Sequence, residues 1–247
     1  MSTAPTMLRR HGSIEPSGHS IVLPAFHQAV RGARSIFPSR VFGVGEVQRV
    51  LKTGHQGRKI GAFVTKGRRK GWPIFMLTLE ERATCPRTCR EFASCYGNGM
   101  NSAERIVAGL ELEAAIEREL RELAGEHPAG FMVRLHILGD FYSAGYVRFW
   151  TSMLAELPAL HVFGFTARAP DSEIGRAVSA MALDHGWARA AIRFSGAPHE
   201  VRASRVLGPG DTDDAAILCP AQTGAASCCA ACALCWHSDR SIAFRRH

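Results

Sequence analysis

No apolar run in the 247 residues approaches the roughly 18 that a membrane span needs. The Met1 to Arg10 start also lacks the apolar stretch of a secretory signal. A soluble, cytoplasmic chain with no membrane partner is therefore expected. Internal repeats and low-complexity segments are missing as well. Hydrophobic residues at 46% and charged residues at 21% exclude a disordered, collagenous or coiled-coil chain. Acids are in short supply: 22 Asp and Glu face 30 Lys and Arg, and the net charge of +8 suits an anionic partner such as nucleic acid, a nucleotide or a cofactor carboxylate. Cysteine is absent between residues 95 and 219, so the eight thiols fall into two groups, Cys85, Cys89 and Cys95, then Cys219, Cys228, Cys229, Cys232 and Cys235. In a reducing compartment such clusters bind metal or do redox chemistry more often than they form disulfides.

What is present beyond these is an alternation of strand and helix signals. Ile74 to Leu79 (IFMLTL), Phe131 to Leu138, His161 to Thr166 (HVFGFT) and Ala191 to Ser195 (AIRFS) have strand character. Asn101 to Gly125 predicts a helix, with Asn101 at the N-cap, Glu104 three residues on, and Ile106, Leu110, Ala114, Leu120 and Leu123 near helical spacing. Ser143 caps a second helix that carries Tyr146, Trp150, Met153 and Leu157 on one face and stops at Pro158. Asp171 or Ser172 caps a third that runs to about His185. Such alternation implies a parallel sheet, open or rolled up. The expectation is an α/β fold, a parallel-sheet partial (β/α) barrel. Residues 1–48 mix Pro, Gly and Ser with short apolar pieces such as Ile21 to Phe26, and read as an irregular N-terminal arm. Residues 49–247 read as one α/β domain, opening on a basic, glycine-rich segment (49–71) and closing with a C-terminal cysteine knot (219–236).

In that knot, Cys229, Cys232 and Cys235 recur every third residue and Cys219 is followed by Pro220. Ferredoxin-like loops wrap a cubane with such a triple and take the fourth thiolate from a distant Cys-Pro. Four thiolates equally hold a tetrahedral zinc. Cys85, Cys89 and Cys95 follow the first strand, and so stand at the carboxyl edge of a parallel sheet, where ligands collect. Three thiolates on a cubane leave one iron to a substrate or cofactor, unless Cys228 or another side chain completes the set. A zinc knuckle is the alternative. The cofactors expected are one or two 4Fe–4S clusters, with zinc as the other possibility.

From Arg49 to Lys70 there is no acid at all, while Arg58, Lys59, Lys66, Arg68, Arg69 and Lys70 are interleaved with glycines. Spacing of this kind favours phosphate contacts over base stacking, hence sequence-independent binding of nucleic acid; a solvated flank is the plain alternative. His136, between Leu135 and Ile137, reads as a core or supporting histidine rather than a ligand. Asp140 follows the second strand and Arg168 the third, so both are expected at the carboxyl edge, Asp140 also being suited to cap the helix after it. Gly43-Val44-Gly45 lacks the third glycine of a dinucleotide loop and Gly208 to Asp214 lacks most of a calcium loop, so both read as turns.

Several stretches resemble a phage- and plasmid-associated family of cysteine-rich proteins, the gene product 88-like proteins. They are Leu77 to Pro86 (LTLEERATCP), Cys95 to Asn98 (CYGN), Leu138 to Ser143 (LGDFYS), Phe163 to Arg168 (FGFTAR), Cys219 to Gly224 (CPAQTG) and Leu234 to Trp236 (LCW). The resemblance implies a mobile-element origin, that Cys219, Cys229, Cys232 and Cys235 belong together, and that Cys228 is extra. In layout the chain is also similar to radical S-adenosylmethionine enzymes, with three cysteines after the first strand of a partial barrel and a glycine-containing turn, Leu135 to Phe141, after the second. Those enzymes carry Gly-Gly-Glu at that turn and space their cysteines three and two residues apart with an aromatic before the last. Here the turn holds Gly139-Asp140, the second gap is five, and Tyr96 follows Cys95. This likeness implies S-adenosylmethionine on the open iron, its amine donating to Asp140 and its carboxylate held by Arg168, which would make both residues cofactor-binding and catalytic. The function expected is thus an iron–sulfur redox or radical-type enzyme acting on a nucleotide or nucleic acid. The alternative is a zinc-stabilised nucleic-acid-binding protein without catalysis.

Overall fold

The computed structural model describes residues 21–198 and 202–246. Its strands are β1 (Val41–Phe42), β2 (Leu51–Thr53), β3 (Ile74–Leu77), β4 (Arg105–Ile106), β5 (Phe131–Leu135), β6 (Leu160–Thr166), β7 (Ala190–Phe194), β8 (Ser204–Leu207), β9 (Ala216–Leu218) and β10 (Ser241–Arg245). Its helices are α1 (Gln28–Arg31), α2 (Leu110–Glu126), α3 (Ala144–Glu156), α4 (Glu173–His185), α5 (Pro220–Thr223), α6 (Cys229–Cys232) and α7 (Leu234–His237). The result is a mixed α/β fold with mostly parallel sheets. The main sheet is ordered β2-β3-β5-β6-β7; β2 runs antiparallel to β3 and the other pairs are parallel. A smaller parallel sheet places β10 between β8 and β9, and β1 pairs with β4. Residues 1–20 of the expected arm lie outside the described residues.

Alternation along the strands divides the interior in two, because successive side chains leave on opposite faces. Phe75, Leu77, Phe131, Val133, Leu135, Leu160, Val162 and Ile192 point into a core shared with Leu112, Ile116 and Leu120 of α2, Val147, Trp150 and Leu154 of α3, and Val178 and Met181 of α4. Ile74, Met76, Met132, Phe163 and Ala191 point the other way. Among the described residues no long helix covers that second face. Ile60 and Val64 of the basic segment cover it, together with Ala230, Ala233, Cys235 and Trp236 of the cysteine knot. Three layers follow: helices, sheet, and a third layer that carries Cys228, Cys229 and Cys235.

Ser143 and Ser172 cap α3 and α4 as expected, accepting from the backbone N–H of Tyr146 and Gly175, both at 3.0 Å. The helix expected from Asn101 instead begins at Leu110. Arg105 and Ile106 are extended beside β1, the Arg105 side chain is drawn into a buried ion pair, and Gly109 enters α2 at φ +148°, which only glycine adopts freely. β3 and β5 also end earlier than expected, at Leu77 and Leu135. Leu79 leaves the sheet edge to bridge Ile106, and its N–H donates to the Leu138 carbonyl at 3.0 Å.

His161, on β6, lies edge-on to Trp72 with ring centroids 4.7 Å apart. Burial, aided by the charges of Arg69 and Arg189, pushes its pKa down to about 4. Unfolded histidine titrates near 6.5. Between about pH 6.5 and 4 the unfolded chain therefore binds the extra proton, so this contribution to stability is complete above about pH 6.5 and is lost as pH falls towards 4. Urea unfolding at about pH 7 and about pH 5 should show a smaller acid-induced loss in His161→Phe than in the native chain. Equal losses would mean that His161 does not carry this proton linkage.

Candidate metal centres

The first cysteine loop is held from beneath by charge. Directly after β3 come Glu80, Glu81 and Arg82, all buried. The Glu81 carboxylate accepts from Arg105 Nε at 2.6 Å, with neither side chain exposed, and from the Ser35 hydroxyl at 2.9 Å. Arg105 then donates to the carbonyls of Gly97 at 3.1 Å and Ala103 at 2.7 Å, while Arg82 donates to the Phe92 carbonyl at 2.9 Å and to the Asn98 side chain. Asn98 passes the chain of bonds on to the carbonyls of Ala93 and Ile21. Unpaired backbone groups inside a protein are costly. These side chains satisfy them without helix or strand, which is how an irregular loop holds Cys85, Cys89 and Cys95 in place.

A single arginine does the same for the second group. Arg193 on β7 is fully buried and donates to the carbonyls of Ser238 and Arg240, both at 2.7 Å, and of Cys235 at 3.2 Å. The Trp236 ring rests on Phe163 of the sheet at 4.5 Å between centroids. The basic segment closes the other side: Cys229 N–H donates to the Lys59 carbonyl and Ala230 N–H to the Ile60 carbonyl, each at 2.8 Å. Gly61 sits so close that a Cβ there would stand 2.7 Å from the Cys228 sulfur. Cys219, straight after β9, donates its N–H to Ala243 of β10 at 2.8 Å.

Both groups open onto one cavity of about 1150 Å³, lined by Cys85, Cys89, Cys95, Cys219, Cys229 and Cys235. Cys232 is buried and Cys228 half-buried beside them, and neither lines it. Burial pushes the thiols of Cys85, Cys89, Cys219 and Cys229 up and those of Cys95 and Cys235 to about 11. Asp140 adds to the rise at Cys85, and neighbouring cysteines add to it within each group. Thiolates in such surroundings need a bound cation to be stable, and binding one would release protons. Among the described residues no group of three or more His, Cys, Asp or Glu side chains is disposed to hold a metal ion.

Asp140 and Arg168 come together at the strand ends. Asp140 lines the cavity, and its carboxylate accepts from Thr166 Oγ1, Phe141 N and Ala167 N, each at 2.7 Å. Burial nonetheless raises its pKa to about 6. The Arg168 guanidinium donates to the carbonyls of Phe141 at 2.9 Å and Thr84 at 2.7 Å rather than reaching the cavity. It clasps the turn after β5 to the segment that leads into Cys85. Of the basic residues, Arg58 and Lys59 line the cavity. Arg69 lies over Trp72 and donates to the Ala188 carbonyl, while Lys66, Arg68 and Lys70 are exposed. His136 is buried, as expected, beside Tyr146. The parts not foreseen are Glu81, Arg82, Arg105, Arg193 and Arg134. Each is a charge inside or next to an apolar run, a place where burial demands a partner.

No family model, curated protein or solved structure matches the chain.

Removing Arg105 leaves the buried Glu81 carboxylate with only the more distant Arg82, 3.8 Å away. Arg105→Met should therefore cost about 3–5 kcal/mol in unfolding free energy, and adding Glu81→Gln should recover a large part of it. Denaturant unfolding of the two variants checks this. A cost under about 1 kcal/mol would mean that the pair does not support the loop.

Proposed function

We propose that the chain is an iron–sulfur redox enzyme of mobile-element type, with clusters on its two cysteine groups beside a shared substrate cavity. One observation carries the reading: six thiols from segments far apart in sequence line a single cavity. Cys85, Cys89 and Cys95 would hold one cluster and Cys219, Cys229, Cys232 and Cys235 the other. The position of the cavity supports an enzyme. Residues that follow β3, β5, β6 and β7, namely Cys85, Asp140, Ala167 and Ser195, all line it, as they would at the carboxyl mouth of a partial (β/α) barrel. The stretches that carry the phage-family resemblance also meet here. Their Glu81, Asn98, Asp140 and Arg168 are the residues that fix the loops.

Iron–sulfur clusters, when bound, supply one-electron chemistry. The chain's own residues supply the rest. Asp140, with its pKa raised to about 6 by burial, is able to take or release a proton at the cavity wall near neutral pH. Its position at the turn after β5 also suits an amine, such as that of S-adenosylmethionine. Arg168 keeps that turn against the first cysteine loop. Arg58 and Lys59 bring positive charge to the cavity, which favours an anionic substrate of the nucleotide kind.

Anaerobically purified protein should be brown and contain iron and acid-labile sulfide in equal amounts. Cys85→Ala and Cys235→Ala should each remove a different part of the chromophore, the second with the greater loss of solubility because Cys235 is part of the packed second face. Colourless protein that holds zinc and no sulfide would overturn the iron–sulfur reading and leave the zinc-stabilised alternative.

A further inference from the structure

Two side chains in the cavity lining have no partner that accounts for them. Arg134, on β5, holds its guanidinium over the rings of Phe165 and Phe163, 4.7 and 5.9 Å from their centroids, and donates to the adjacent Leu135 carbonyl. Among the described residues no carboxylate pairs with it. A half-buried guanidinium keeps its charge; no carboxylate answers it, and its field reaches the thiols of Cys229 and Cys235. The second is His136. Its Nε2 stands 3.2 Å from the Tyr146 hydroxyl, and its Nδ1 is buried with no hydrogen-bond partner.

The proton on His136 follows from its neighbour. A buried tyrosine hydroxyl needs an acceptor, and Nε2 is the one within reach of Tyr146. Nδ1 therefore carries the imidazole hydrogen and remains an unused donor. A cation with no carboxylate partner and a donor without an acceptor, both on residues that line one cavity, suit the same kind of ligand. We propose that Arg134 and His136 form an oxyanion subsite, which takes the phosphate or carboxylate of a substrate whose apolar or aromatic body lies on Phe165 and Phe244. Those two rings line the cavity 5.4 Å apart, edge to face, and the Lys59 ammonium stands 5.7 Å over Phe244. The redox reading is needed only for what becomes of the ligand, not for its binding.

Calorimetric titration of the anaerobically purified chain with inorganic phosphate and with benzoate tests the subsite and tells the two oxyanions apart. The native protein should bind at least one of them. Arg134→Met should weaken that binding by about ten- to a hundredfold, the loss expected for a charge-assisted hydrogen bond, and Arg134→Lys should weaken it less. His136→Phe should also weaken it, and it tests the site independently should Arg134→Met fail to fold. Iron and sulfide are measured on the same samples. Lost anion binding at unchanged cluster content supports the subsite. Anion binding that depends on Arg134 in a chain without iron also supports it, while the redox reading falls. The proposal is overturned if the native chain binds neither probe. It is overturned equally if Arg134→Met binds as the native chain does and only the cluster's reduction potential moves, which would make Arg134 a counter-charge to the cluster.

Discussion

Glu81 and Arg105 meet at 2.6 Å with no exposure to solvent, and most of the first cysteine loop hangs from that contact. A pair so placed has lost its hydration and must be repaid by geometry and by further hydrogen bonds. The loop provides them. Arg105 uses its remaining N–H groups on the carbonyls of Gly97, Met100 and Ala103, and Arg82 uses its own on Phe92 and Asn98. Charge and loop are thus mutually necessary: without the carbonyls the arginines are under-satisfied, and without the arginines the carbonyls are. The extended course of residues 105–106, the late start of α2 and the position of the three thiols all follow from this arrangement.

Arg193 repeats the solution on the opposite segment with a different supply of acceptors. It has no carboxylate partner among the described residues and instead collects carbonyls of the cysteine knot. Arginine suits this role because its five N–H donors spread in a plane and its charge is weakly hydrated. The segment after β9 is in this way tied to the main sheet by Arg193 of β7, and the segment that leads into Cys85 is held by Arg168, just past β6. The two segments share one cavity at the ends of β3, β5, β6 and β7.

The layers of the fold were legible in the sequence because alternation and serine caps are local. The four parallel strands and the caps of α3 and α4 depend on neighbours within a few residues, and they stand where the pattern put them, give or take their ends. Asn101 to Gly125 misled for the opposite reason. Asn101 and Glu104 look like a capping box, yet residues 105–106 are pulled into a strand by Glu81, a partner that no window around Arg105 contains. Of the candidate site, cysteine spacing predicted the two groups but not that they line one cavity, which depends on Lys59 and Ile60 pairing with Cys229 and Ala230 across most of the chain. The basic segment showed its charge in the sequence and hid its other role, since backbone carbonyls have no signature in composition. Arg134 and Arg193 were visible as lone charges in apolar strands, but what they face is set by the fold.

The second face of the sheet has one further implication, for the order in which the molecule is made. The later part of its cover, Ala230 to Trp236, is synthesised after all five strands, whereas Ile60, Val64 and the helices that cover the first face come earlier. A nascent chain therefore has only Ile60 and Val64 over that face and leaves Phe163 without Trp236 through a long interval, the kind of apolar surface on which chaperones act and aggregation starts. The cell meets a half-finished sheet first and the thiols that close it last, so assembly of the second cysteine group and burial of that face are a single late event.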